Sequence, residues 1–530
     1  MADALVKKVV IVGGGTAGWL TAGVLAAEYS VGSDTQLQIT LVESPDVPTI
    51  GVGEGTWPSM RATLKRIGIS EQEFLLRCDA SFKQGTRFIG WRRDGGVADG
   101  DEYCHPFTAP VGFYQQNPEP YWQRLREEIQ FADAVCPQSY IGRKHLAPKQ
   151  LATPEYAFIL NYGYHLDAGK FADLLREHCT TRLSVEHLSA RVTEVDSDND
   201  GYITKLHLEK AGVVEGDLFV DCSGARSILL GEHYGIGLSD QRDVLFNDSA
   251  LAIQVPYAEV DAPIESCTLS SARNSGWIWD IGLPTRRGVG YTYSSAHSTD
   301  DEAEDVLRKY LDRSYGGADQ GVNREASGGE VTEFRKISFT PGYREKFWHK
   351  NCVAIGMAAG FIEPLEASAL VLVEQSAKML AEQLPPDREI MQTVSTRFNR
   401  KFSHHWQRII EFLKLHYVLS ERNDSPYWKD HRETDGIPGR LLDSLLLWRS
   451  RSPWLEEGEI ADEFFPAASY QYVLYGMGFV THSLPWNMRP EKEQVARKQF
   501  NDTFQAREAL QRMLPSNREL LRQIYIAAGK

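Results

Sequence analysis

An α/β fold is predicted by three features of the sequence. Residues 5–45 read as strand, glycine turn, helix and second strand; strand-like segments recur from about 186 onward; and after Pro385-Pro386 the text turns Leu/Trp/Arg-rich and helical. Together they describe a Rossmann-like nucleotide-binding body, residues 1–385, that contains a β-sheet substrate region, plus a mainly helical C-terminal lobe, residues 386–530.

Each element has a local cause. VKKVVIVGGG is a buried strand run ending in glycines, TAGWLTAGVLAAEYS carries apolar residues at helical spacing, and LQITLVES is a second strand. From 186 to 225, VEHLSARVTEVDSD and YITKLHLEKAGVVEGDLFVDCSGA are strand-like and joined by the turn formers Asp198-Asn199-Asp200-Gly201. SGWIWDIGLP and GVGYTYSS continue the β-rich stretch. NCVAIGMAAGFIEPLEASALVLVEQSAKMLAEQL then reads as a buried strand, a turn of small residues and a long helix that stops before the proline pair.

The bulk properties restrict the function classes. The chain has 530 residues, 42% hydrophobic and 24% charged, without the roughly 20-residue apolar run a membrane span needs. Its formal net charge of −15, with no Lys/Arg-rich tract, disfavours nucleic acid and anionic membranes and favours a small-molecule substrate. The opening MADALVKKVVIVGGG shows no signal-peptide pattern, so a cytoplasmic location is expected. Seven scattered cysteines without C-x-x-C spacing predict reduced structural thiols and no metal site.

The pattern Gly13-x-Gly15-x-x-Gly18, between a strand and a helix, is a dinucleotide fingerprint in its proper context. Gly13 allows the tight turn, Gly15 lets backbone approach a pyrophosphate, and Gly18 lets helix pack on strand; Thr16 and Ala17 open the helix whose N–H groups face the phosphates. Glu43, ending the second strand, is placed to accept a ribose hydroxyl and to repel a 2′-phosphate. A second glycine-rich strand end, Ile355-Gly356-Met357-Ala358-Ala359-Gly360, before a helix, favours FAD over NAD. No second fingerprint for a nicotinamide is present, so the reductant is expected from another protein.

Several separated motifs resemble the flavin-dependent halogenases of the tryptophan halogenase family, in order over about the first 385 residues. They are GGGTAGW, Gly51-Val52-Gly53-Glu54-Gly55-Thr56, Phe82-Lys83 before Gly85, Tyr103-Cys104-His105-Pro106-Phe107, Trp277-x-Trp279-x-Ile281, and GMAAGFIEPLEAS. The resemblance implies an oxidoreductase that takes FADH2 from a separate flavin reductase, by diffusion, and uses O2 and chloride or bromide to make hypohalous acid. Lys83 then matches the lysine that hydrogen-bonds this acid or becomes a haloamine, and Glu366 the glutamate that assists it or stabilises the cationic ring. Ser368 and Ala369 fall where the family binds halide through backbone amides, although Glu366-Ala367-Ser368-Ala369 replaces the usual Glu-Ser-Thr-Gly.

The alternating Trp277, Trp279 and Ile281 share one strand face and, by resemblance, keep substrate from the flavin; the usual WxWxIP here reads WxWxIG. The resemblance also implies that Val192 lies beside the adenine, that Met357 and Leu370 flank the isoalloxazine, and that His105 and Phe107 line the aromatic pocket. The helical lobe, including FFPAASYQYVLYGMGF, does not align with the lid that grips free tryptophan, which points to indole or an indole-bearing molecule. Two other readings are a flavin-dependent aromatic monooxygenase and a non-catalytic flavin-binding redox sensor. The oligomeric state stays open, with a homodimer as one outcome.

Overall fold

A computed structural model describes residues 5–29, 37–46, 52–94, 100–314, 334–456, 463–482 and 489–529. The chain divides into two compact units, each made of three segments: 1–80, 166–241 and 340–406 in the first, 81–165, 242–339 and 407–530 in the second. The helix Arg388–Val418 begins in one unit and ends in the other, because nothing in its sequence interrupts the helical run.

The first unit is built on a six-stranded sheet in the order Trp348–His349, Cys352–Ala354, Leu218–Asp221, Lys8–Val12, Gln38–Glu43, Glu186–Ser189. All neighbours are parallel except the edge pair Trp348–His349 with Cys352–Ala354. Val9, Val10, Ile11 and Val12 are all buried, as expected of a parallel strand covered on both faces. The helices Thr16–Glu28, Ala168–Arg182 and Ser368–Glu382 pack together beside it. The expected Asp198–Gly201 turn is present: the Asp198 carboxylate accepts the backbone N–H groups of Asp200 and Tyr202, and Gly201 sits at φ +80°. The helix Ser368–Glu382 ends just before the proline pair, as the sequence requires.

The second unit carries a seven-stranded sheet, ordered Arg335–Ser338, Ser249–Pro256, Arg286–Tyr293, Gly276–Gly282, Thr268–Arg273, Gly85–Ile89, Glu102–Pro106. Only Thr268–Arg273 with Gly85–Ile89 is parallel. One face buries Ile253, Ile278, Val289 and Tyr291 under Leu307 and Leu311 of the helix Asp300–Ser314. On the other, Trp277 meets Trp91, with ring centroids 6.2 Å apart, so the strand Gly276–Gly282 is buried throughout. From Gln407 onward the described elements are helices, and Ala467–Gly476 packs on Glu102–Pro106. No helix of the described residues is long and apolar enough to cross a membrane. All seven cysteines are buried and free.

Candidate active site

The nucleotide end of the first unit follows from its glycines. A Cβ on Gly13, at φ +119°, would lie 2.2 Å from the Cys222 carbonyl oxygen, and one on Gly18 would lie 1.9 Å from the Gly13 oxygen. Both positions exclude any side chain. A Cβ on Gly15 meets nothing within 4 Å, and the helix it caps has no side-chain cap and no acidic residue in its first turn. Exposed backbone followed by unanswered helix N–H groups suits a pyrophosphate. Glu43 packs against Gly14, whose added Cβ would fall 2.1 Å from the Glu43 carboxyl carbon, and its Oε2 lies 2.9 Å from His187 Nε2.

The second glycine segment reaches this same turn. Gly356, at φ +73°, approaches Ala17 so closely that a Cβ would stand 2.7 Å from the Ala17 Cβ. Met357 follows it, 38% exposed, whereas Leu370 is buried in the helix and Val192 is half-buried at the start of the strand Val192–Ser197. These residues fit a dinucleotide cofactor: an open glycine, a helix N-terminus, an acidic strand end and a second small-residue loop converge on one turn.

Glu366 and Ala367 precede the helix Ser368–Glu382 and both adopt left-handed backbone, at φ +63° and +54°. Such geometry costs roughly 1–3 kcal/mol per non-glycine residue and persists only where the surroundings enforce it. Glu366 is buried, Ser368 is buried and Ala369 is exposed at the helix start. The indole N–H of Trp57 donates to the Glu366 carbonyl oxygen at 2.7 Å. Nearby, burial holds the Glu374 carboxyl up at about 7 despite hydrogen bonds from Thr63 and Ser59. Desolvation, then the charge of Asp167, raises Glu54 to about 7 as well. Gly51 of the same motif lies outside the described residues.

Lys83 belongs to the second unit and ends the strand Ser81–Lys83. It is 1% exposed, an uncommon state for lysine, and its Nζ lies 5.4 Å from the Phe107 ring centroid. Gly85 explains the approach: at φ +144°, its missing Cβ would collide with the His105 carbonyl oxygen at 2.3 Å, so Glu102–Pro106 can lie directly alongside. His105 is buried, and its Nε2 lies 2.9 Å from Ser469 Oγ on the helix Ala467–Gly476. Phe412 stacks on Phe465 at 3.7 Å and stands 5.9 Å from His105. Lys83 thus lies beside the Phe107 ring, while His105 faces Phe412 and its stacked partner.

The family model for tryptophan halogenase matches residues 8–488. The chain belongs to the tryptophan halogenase family. It is 32% identical to tryptophan 6-halogenase ThaL of Streptomyces albogriseolus over 99% of this chain and 100% of that one. Among solved structures, the tryptophan halogenase of Shewanella frigidimarina NCIMB 400 is 51% identical, covers 98% of each chain and superposes with a TM-score of 0.92. The flavin-dependent halogenase BrvH of Brevundimonas sp. BAL3 is 30% identical, with a TM-score of 0.83 and coverage of 98% of this chain and 100% of its own.

As a tryptophan halogenase family member the chain is an enzyme of oxidoreductase type, a flavin-dependent halogenase that uses FADH2 from a separate reductase, O2 and halide. The monooxygenase and redox-sensor readings are not favoured. Within this halogenase the sequence-predicted residues fall into two sets. Gly13, Gly15, Thr16, Ala17, Gly18, Glu43, Val192, Met357, Glu366, Ser368, Ala369 and Leu370 lie in the first unit, and Lys83, His105 and Phe107 in the second. Trp277 and Trp279 are both buried, and Gly290 makes room for the latter, since a Cβ there would fall 2.0 Å from the Trp279 ring.

Sequence reasoning missed Trp57, Ser469 and His165. His165, paired with Ser81 on the adjoining strand, is fully buried; desolvation first, and the Lys83 charge second, hold its imidazole well below the ordinary histidine range. It stays neutral, with Nε2 2.9 Å from Thr268 Oγ1. No local pattern marks these three residues, because their partners are distant in sequence. Among the described residues no group of three or more His, Cys, Asp or Glu is arranged to hold a metal ion.

Proposed function

We propose that this enzyme halogenates indole or a larger indole-bearing molecule in the cytoplasm, with Lys83 delivering the halogen and Glu366 stabilising the ring as it gains positive charge. The observation that carries this reading is the burial of Lys83 beside Phe107. A lysine is kept out of water at a cost that packing alone does not require, and the neighbouring aromatic face partly offsets that cost.

Bound reduced flavin supplies, with O2 and halide, the hypohalous acid. The protein's part is to bind, aim and exclude. Gly13, Gly15, Thr16, Ala17, Gly18, Glu43, Val192, Met357 and Leu370 hold the cofactor, and the amides of Ser368 and Ala369 hold halide at a helix start. Lys83 Nζ donates to the hypohalous oxygen or takes the halogen, which fixes the electrophile at one point. His105 and Phe107 hold the ring in one orientation, while the Glu366 carboxylate stabilises its cationic form. The helices of the 386–530 lobe, which supply Ser469 beside His105, cover the aromatic end. Bromide, O2, indole and an NADH-driven flavin reductase should yield bromoindole by mass spectrometry with the wild-type enzyme. Hydroxyindole formed without halide would sink the proposal.

A further inference from the structure

We infer that Trp57 is a positioning residue for Glu366 and for the amides that open the helix Ser368–Glu382. This deepens the halogenase reading and rests on it.

Two successive non-glycine residues in left-handed backbone do not hold that shape unaided. The peptide between Glu366 and Ala367 is planar, so its C=O and N–H point in opposite directions and turn together. Both ends are held. The carbonyl accepts from Trp57 Nε1 at 2.7 Å, and the Ala367 N–H donates to the Pro364 oxygen at 3.0 Å. Trp57 thus fixes the plane from which the Glu366 side chain leaves on one side and the Ser368 and Ala369 amides follow on the other.

Trp57 is itself kept in register. Two residues on, Ser59 Oγ donates to Glu374 Oε1 at 3.0 Å, and Thr63 Oγ1 donates to Glu374 Oε2. Residues 57–63 therefore grip the helix Ser368–Glu382 at its start and again further along.

The test compares wild type with Trp57→Phe, which keeps a ring and deletes the N–H. Because Trp57→Phe risks misfolding, a second variant carries benzothienylalanine at position 57, where sulfur replaces the N–H at nearly the same shape. Bromide affinity is read by flavin absorbance on the FAD-loaded enzyme, alongside FAD affinity, melting temperature and the kcat and bromide KM for indole bromination. Loss of one aimed hydrogen bond should weaken bromide binding and lower kcat by about tenfold each, with FAD affinity and melting temperature near wild type. Wild-type bromide affinity and kcat in either folded variant would overturn the inference, as would a fall in FAD affinity and melting temperature that matches the loss in bromide affinity. Wild-type enzyme that binds bromide yet brominates no aromatic would instead overturn the substrate reading, leaving the Trp57 comparison intact.

Discussion

Gly356 and Ala17 approach so closely that a Cβ on the former would stand 2.7 Å from the Cβ of the latter. This contact brings the downstream Gly356–Ala358 turn against the first helical turn after the glycine fingerprint. It is the physical link between two motifs that the sequence shows only as separate glycine runs.

Gly356→Val should therefore damage cofactor binding directly. The left-handed φ of +73° and the collision with Ala17 both oppose a branched side chain, and overpacking of this kind costs about 1–3 kcal/mol. At least a tenfold loss of FAD affinity is expected by flavin fluorescence titration. An unchanged dissociation constant would mean that this loop does not meet the cofactor.

Ser469→Ala should act on substrate orientation. The His105 Nε2 loses its partner at 2.9 Å in a buried setting, a loss worth about 1–2 kcal/mol. The expected result is a five- to tenfold rise in the KM for indole, or a spread of bromination over more ring positions, with FAD affinity unchanged. Product analysis by chromatography reads both. A variant with the same KM and the same single product would show that His105 is held by other contacts.

Glu374 predicts a pH dependence of stability. Burial raises its carboxyl from 4.5 to about 7, so the folded protein holds a proton that the unfolded chain releases over that interval. Unfolding free energy then falls as pH rises from about 4.5 to 7, by up to about 3 kcal/mol from this group alone. Glu374→Gln, which stays neutral, should flatten that part of the profile in urea denaturation at graded pH. Parallel profiles for the two proteins would contradict the raised value.

How much of this was legible in the sequence depends on the range of the interaction. The opening strand, glycine turn and helix could be read from Lys8 to Glu28 because their causes are local: apolar runs, helical spacing and glycines at a turn. The proline pair marked the end of the helix Ser368–Glu382 for the same reason. The seven-stranded sheet is not legible locally, because it joins Gly85–Ile89 and Glu102–Pro106 to the edge of a block of strands drawn from residues 249–338. Of the candidate site residues, Lys83 and Glu366 stood out only through resemblance. Their supports did not stand out at all: Trp57 meets Glu366 309 positions away, and Ser469 meets His105 364 positions away. No periodicity encodes such pairings.

Halogen transfer through Lys83 is tested most directly by removing its amine. With flavin reductase, FAD, O2, bromide and indole supplied in excess, the bromoindole formed by Lys83→Ala is to be compared with wild type, together with FAD affinity. At least a thousandfold loss of bromoindole is expected, roughly 4 kcal/mol of transition-state stabilisation, with FAD affinity within about twofold of wild type. Wild-type yields of bromoindole from Lys83→Ala would contradict it.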